Sequence, residues 1–311
     1  MRALVTGGDG FLGANLVQAL QRDGHEVTAM ALNRKGVTSL DALGVKCRVE
    51  YGDITDREYV ERVVNAVDPQ WVFHLAAVSI VGRAAADPRR CYATNIMGTV
   101  NVLDACSKSM NVLAVVVASS DKAYGDHGNA EYVETAQLKP GGVYETSKAC
   151  ADMIARGYNG GGMRVMVTRC ANLYGGGDLN WSRLVPNSVE HAINGHAPVV
   201  YANAWAYRRE WVYVQDACKA YIALAYEGRG GEAYNVGSGE VLTAGDMAVL
   251  IADKCESPMP QLVDGLPCAE IPEQRLNWDK IAAMGWGPLV TLDEGLRETI
   301  AWYKRYLRWA Q

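Results

Sequence analysis

The sequence predicts an α/β fold: a doubly wound, largely parallel sheet covered by helices, with a smaller C-terminal region beyond it. Three observations carry this. Short apolar runs alternate with segments of helical periodicity through the first half of the chain, a glycine-spaced turn separates the first such run from the first helical segment, and beyond about residue 174 the rhythm breaks into glycines, prolines and short periodic pieces.

Residues 4–6 are apolar and end at the glycine turn, as a buried strand would. Residues 12–22 have helical spacing; 27–32 form a second strand, Arg48–Tyr51 a third, and 58–67 a helix. A strand at 71–75, a helix over about 91–107, the strongly apolar strand 113–119, a long helix from about Tyr144 and the strand Arg164–Cys170 continue the alternation. Gly160, Gly161 and Gly162 fall between that helix and that strand, so they read as a tight connection within the sheet rather than a linker. Later, helical patterns at 185–193 and 216–225 flank the segment 207–214, and 292–309 reads as an amphipathic helix.

Composition narrows the function. Thirty Lys and Arg against thirty-five Asp and Glu give a net charge of -5, which does not favour a nucleic acid or an acidic membrane as partner. The eight cysteines lack metal-finger or redox-pair spacing and read as reduced thiols, and the opening Met1-Arg2-Ala3-Leu4-Val5 runs straight into Gly7-Gly8 without a signal-peptide pattern. No segment approaches eighteen uncharged apolar residues, so a cytoplasmic protein is expected. No metal is expected either, since His127 has no suitably spaced partners.

The first chemical signal is Thr6-Gly7-Gly8-Asp9-Gly10-Phe11-Leu12-Gly13, between a strand and a helix. Gly7 permits the turn, Gly10 lets backbone approach a pyrophosphate, and Gly13 permits close packing while the helix N-terminus faces negative charge. This is a dinucleotide-binding pattern, so 1–173 is read as a dinucleotide-binding domain carrying a catalytic helix. Residues 174–311 are read as mainly substrate-binding, with some segments returning to the first domain. The acid expected at the end of the second strand is missing, because that strand runs Met30-Ala31-Leu32-Asn33-Arg34. Arg34 or Lys35 can touch a 2'-phosphate and favour NADP, and an exposed basic turn explains them equally well. Asp53 is placed to accept hydrogen bonds from an adenine amino group, or simply to form a turn.

The second signal is Tyr144-Glu145-Thr146-Ser147-Lys148, whose four-residue spacing puts phenol and ammonium on one helix face. A cation about 4 Å away at an effective dielectric near 20 is worth about 4 kcal/mol, enough to lower a tyrosine pKa of about 10. Tyr144 would then take a proton from an alcohol while hydride leaves for a nicotinamide.

Together with His74-Leu75-Ala76-Ala77, Asn95, Ser119-Ser120 and Arg209-Glu210-Trp211-Val212-Tyr213-Val214-Gln215-Asp216, these motifs resemble the extended short-chain dehydrogenase/reductase family, specifically its nucleotide-sugar epimerases and dehydratases. The resemblance covers almost the whole chain and implies a Rossmann sheet. It implies NAD as cofactor, with NADP as the alternative, held by Gly7, Gly10, Phe11, Leu12, Gly13, Asn33, Arg34, Asp53, Ile54, Leu75, Ala76, Ala77, Asn95, Ser119, Tyr144 and Lys148. A nucleotide-diphosphate sugar would meet Ser120, Asn172, Arg183, Arg209 and Arg275. Guanidinium matches phosphate well, although a surface salt bridge also explains Arg209. Family members often dimerise through helices corresponding to about 91–107 and 144–158, so a homodimer is implied.

The subtype turns on Ser119-Ser120-Asp121-Lys122-Ala123-Tyr124. Sugar 4,6-dehydratases carry a hydroxyl residue, an aspartate and a glutamate there. Here Lys122 replaces the glutamate, and the Ser-Asp-Lys run resembles cytidine-diphosphate-glucose 4,6-dehydratases, as do Gly175-Gly176-Gly177-Asp178 and Arg183-Leu184-Val185-Pro186. The resemblance therefore implies catalysis by Tyr144, Lys148, Ser120, Asp121 and Lys122: oxidation at C4, proton removal at C5 by Lys122, water loss at C6 aided by Asp121, and hydride return to C6. A strand-end cap for Asp121 and a solvent-facing Lys122 are the structural alternatives. A 4-epimerase, which needs only Tyr144 and Lys148, is the rival enzyme, and a non-catalytic NAD(P)-binding regulatory protein is the rival of another class.

Overall fold

The computed structural model describes residues 1–34, 36–265 and 271–310. In chain order its strands are β1 (Arg2–Thr6), β2 (Glu26–Ala31), β3 (Arg48–Tyr51), β4 (Trp71–His74), β5 (Ala114–Ala118), β6 (Arg164–Cys170), β7 (Asn172–Tyr174), β8 (Val199–Tyr201), β9 (Arg208–Tyr213), β10 (Ala233–Val236), β11 (Val241–Thr243), β12 (Gln261–Val263) and β13 (Glu273–Gln274). Seven of these form one parallel sheet in the order β10-β6-β5-β4-β1-β2-β3. The strand order reverses between β1 and β4, and in open α/β sheets the crevice at the carboxyl ends beside such a reversal is where ligands bind.

Strand periodicity explains the layering. On β1, Val5 packs with Phe73, Val116 and Tyr221 on one face of the sheet. Its neighbour Leu4 packs with Val72, Val115 and Leu103 on the other. Both faces are dry, so these strands read as continuous apolar runs rather than alternating ones. Each such side chain contributes about 1.5–3 kcal/mol by leaving water. A third cluster, with Tyr174, Val189, Met247, Leu296 and Tyr303, lies beneath the C-terminal region.

The expected elements are present, with shifted edges and one difference of substance. The helix expected over about 91–107 is Pro88–Tyr92 followed by a π-helical segment, Ala93–Met97, and the α-helix Gly98–Ser107. Strand β10, from the later part of the chain, hydrogen-bonds in parallel to β6 and completes the main sheet. Gly160, Gly161 and Gly162 all have positive φ and make a tight turn, with Gly160 bridged to Met163. The remaining strands are small: β9 is flanked by β11, β13 and β7, and β8 pairs with β12. The amphipathic C-terminal helix is Leu292–Ala310. No described helix is long and apolar enough to cross a membrane.

Candidate active site

A cavity of about 690 Å³ opens at the carboxyl ends of β1, β4, β5 and β6. Its floor is the glycine turn. A side chain on Gly13 would run into the Gly7 carbonyl at 2.1 Å, and one on Gly7, at φ +67°, would meet the Ala76 backbone at 2.9 Å. Gly10 has only the Gly7 carbonyl nearby, at 3.3 Å, which leaves its surface open to the cavity. The helix Phe11–Arg22 starts from Gly10 with no side-chain cap, so its first N–H groups are available to an anion. These residues fit the pyrophosphate of a dinucleotide.

Along one wall lie Phe11, Leu12, Ala31, Leu32, Asp53 and Ile54. The Asp53 carboxylate accepts from the Thr55 amide at 2.9 Å and pairs with Arg90 at 2.7 Å. Burial alone would raise its pKa, but these partners outweigh burial and hold it below the ordinary carboxylate value. Arg90 also lines the cavity; the sequence reading missed it because its partner lies 37 residues away. Asn33 and Arg34 are exposed and line neither cavity, and Lys35 lies outside the described residues.

Opposite the glycine turn, Leu75, Ala76 and Ala77 line the cavity. Asn95 does not. It is buried in the π-helical segment, where it accepts from the Val78 amide at 2.7 Å and donates to the Ser147 hydroxyl at 2.8 Å. It thus ties the loop after β4 to the helix Val143–Gly157, which carries Tyr144 and Lys148. Behind the same wall, buried His74 bridges the Thr6 and Thr99 hydroxyls at 2.7 and 2.9 Å, and burial pushes its pKa down to about 3, which keeps it neutral.

Ser119, Ser120, Asp121, Lys122, Tyr144 and Lys148 all line the cavity. The Ser120 hydroxyl donates to Asp121 Oδ1 at 2.9 Å and lies near enough to the Tyr144 phenol to lower its pKa. Asp121 is 2% exposed, and its second oxygen, Oδ2, is buried with no partner among the described residues. Burial raises its pKa, against the pull of Lys122 and Arg209. Lys122 Nζ donates to the Gln274 side-chain oxygen at 3.3 Å.

The expected action of Lys148 on Tyr144 is corrected. Burial pushes the phenol above its ordinary pKa of 10.0, and the lysine is not among the causes acting on it. Lys148 Nζ donates to the Ala118 carbonyl at 2.9 Å, and burial pulls its own pKa down to about 8. Desolvation of two groups buried side by side on one helix face outweighs the simple attraction between them.

Asn172 and Arg183 line the far side of the same cavity, where Arg183 pairs with Asp178 at 3.0 Å. Arg183 also reaches a second cavity of about 570 Å³, lined by Arg209, His191, Tyr207 and Asn187 among others. Arg209 is buried and donates to the Arg208 and Ile271 carbonyls. Arg275 is not brought to either cavity: it is half exposed and lies 3.7 Å from Glu131. Among the described residues no cluster of His, Cys, Asp and Glu could hold a metal.

Known proteins resemble this chain along its whole length. A dTDP-glucose 4,6-dehydratase of Streptomyces griseus is 31% identical, over 98% of this chain and 95% of the relative. The crystal structure of a dTDP-glucose 4,6-dehydratase of Streptomyces venezuelae with NAD bound superposes with a TM-score of 0.90 at 29% identity, covering 99% and 98% of the two chains. A UDP-glucose 4-epimerase of Thermotoga maritima, solved with UDP-glucose, gives the same TM-score at 26% identity, covering 99% and 100%. The family model described as "NAD dependent epimerase/dehydratase family" matches residues 3–237. With a glycine-floored dinucleotide cavity, a tyrosine and lysine on one helix and a family match over most of its length, the chain belongs to the NAD-dependent epimerase/dehydratase family.

Proposed function

We propose that the protein is an NAD-dependent nucleotide-sugar 4,6-dehydratase that forms a 4-keto-6-deoxy sugar with loss of water. The observation that carries this reading is Asp121: a buried carboxyl with a raised pKa and one unpartnered oxygen, bound by Ser120, which also lies near Tyr144. Epimerisation at C4 has no use for an acid there, whereas elimination needs one to protonate the departing oxygen. Bound NAD would supply the hydride chemistry, oxidation at C4 of the sugar and reduction at C6. Gly7, Gly10, Gly13, Asp53, the 75–77 wall and Lys148 are the cavity residues that would hold it.

Tyr144 accepts the C4 hydroxyl proton in its phenolate form, which burial disfavours in the protein without ligands. Asp121 delivers its proton to the C6 oxygen, and Lys122 removes the proton from C5. Because Ser120 lies near both Tyr144 and Asp121, the proton gained by the phenol lies one hydroxyl away from the carboxyl that has lost one. Arg183 and Arg209, where the two cavities meet, suit the substrate's diphosphate.

The finer reading is a cytidine-diphosphate-linked glucose, supported by Lys122 in place of a glutamate. The division into a cofactor part, 1–173, and a substrate part, 174–311, and residence in the cytoplasm belong to the same proposal. So does a homodimer through the helical segments of about 91–107 and 144–158, which carry Met97 and Met153, each more than half exposed. Light scattering that shows only monomer would remove the dimer.

The test is a panel of CDP-, dTDP- and UDP-glucose read by mass spectrometry. A product lighter by one water supports dehydration, and the preferred substrate identifies the base. A product of unchanged mass inverted at C4 would make the protein an epimerase.

A further inference from the structure

Gln274 lies on β13, paired in register with Arg209 of β9, and is fully buried. Its side-chain oxygen accepts from Lys122 Nζ at 3.3 Å across 152 residues of sequence. Its amide nitrogen, Nε2, is buried with no partner among the described residues. An unsatisfied buried amide costs about 1–3 kcal/mol, which a leucine or methionine of similar size would avoid. Packing therefore does not explain a glutamine here, but its contact with Lys122 does.

We infer that Gln274 is a positioning residue that fixes the Lys122 amine beside Asp121 for proton removal at C5. This rests on the dehydratase reading above. An amide oxygen accepts an N–H from the amine in either protonation state, so it orients the nitrogen without adding charge; a carboxylate in its place would favour the ammonium form, which cannot act as a base. The titratable and charged groups around the pair are Asp121 beside Lys122, Tyr132 against Glu273, Tyr144 on its helix, Cys170 on β6, Arg209 and Glu210 on β9, and Glu273 on β13. Glu210 is engaged by the amides of Ser238, Gly239 and Leu276, and Glu273 lies 3.8 Å from Arg208.

In the step served, C4 is already a ketone. The C5–H bond breaks and its proton passes to the lone pair of Lys122 Nζ. The freed electron pair forms the C5–C6 double bond, the C6–O bond breaks, and the oxygen leaves as water with the proton of Asp121. Gln274 touches only Lys122.

The experiment follows solvent deuterium entering C5, with C4 oxidation measured separately as reduced cofactor in a single turnover. Gln274→Met should slow C5 exchange about tenfold or more while C4 oxidation holds. Gln274→Glu should move the pH profile of C5 exchange about one unit to the alkaline side, and Gln274→Asn, which keeps a neutral acceptor, should restore part of the rate at the original pH. Thermal melts identify any variant that fails to fold, and either Gln274→Met or Gln274→Glu, once folded, decides. Wild-type exchange rate and pH profile in a folded Gln274→Met or Gln274→Glu, with Lys122→Met inactive in exchange, overturns this inference alone. Full C5 exchange in Lys122→Met removes Lys122 as the base and this inference with it, whereas a wild-type product that keeps its water overturns the dehydratase reading instead.

Discussion

The Ser120 hydroxyl donates to Asp121 Oδ1 over 2.9 Å and leaves Oδ2, the other carboxylate oxygen, buried with no partner among the described residues. One oxygen is held and the other is free to meet substrate, the arrangement a directed acid needs.

Asp121→Asn should therefore slow water loss by about 10²–10⁴-fold while nucleotide-sugar binding, measured by calorimetry, changes little. Stability gives an independent check. The folded pKa of Asp121 is raised above 3.8, so its stabilising contribution is complete below that value and is lost as pH rises through the folded value. Melting curves should show the wild type losing more stability than Asp121→Asn over that rise, and parallel pH dependences would contradict the assignment.

Tyr144→Phe should keep the fold and most cofactor affinity but lose most turnover, because the proton acceptor goes while the ring stays. Near-normal turnover in a steady-state assay would remove Tyr144 from the chemistry.

Lys148→Met should weaken both turnover and cofactor binding without unfolding the protein. With a folded pKa of about 8 against 10.5, the contribution of Lys148 to stability is present above 10.5 and lost as pH falls through 8. At neutral pH its buried charge thus costs about 3 kcal/mol. The variant should melt at the same temperature or higher at pH 7, against the usual direction for a buried substitution, and a large drop in melting temperature there would show that the Ala118 contact outweighs desolvation.

NAD should bind more tightly than NADP in direct titrations, and Arg34→Ala should leave the NAD affinity unchanged, since Leu32 reaches the cavity and Arg34 does not. A strong NADP preference abolished by Arg34→Ala would reverse this.

What was legible in the sequence was local. The turn from Thr6 to Gly13 and the pair Tyr144 and Lys148 act through spacings of a few residues, and the sheet announces itself through apolar runs buried on both faces. Contacts between distant segments were not legible: Arg90 with Asp53 and Lys122 with Gln274 depend on how β3 and β13 fall beside residues far away in the chain. The charge argument at Tyr144 failed for a related reason, since spacing gives proximity but not the degree of desolvation. Arg275 shows the same limit in reverse: a plausible phosphate ligand by type, it lies beside Glu131 instead.

The return of Ala233–Val236 to pair with β6 means that the two halves of this chain share one continuous sheet. A fragment ending at residue 173 would present β6 as a bare edge of apolar strand, with N–H and C=O groups unpaired and ready to capture another copy. A fragment beginning at residue 174 would carry a strand with nothing to pair against. Gene fusions, split versions and domain exchanges built on this protein must therefore carry the sequence through Val236, because the edge of its N-terminal half is protected by a segment that its C-terminal half supplies.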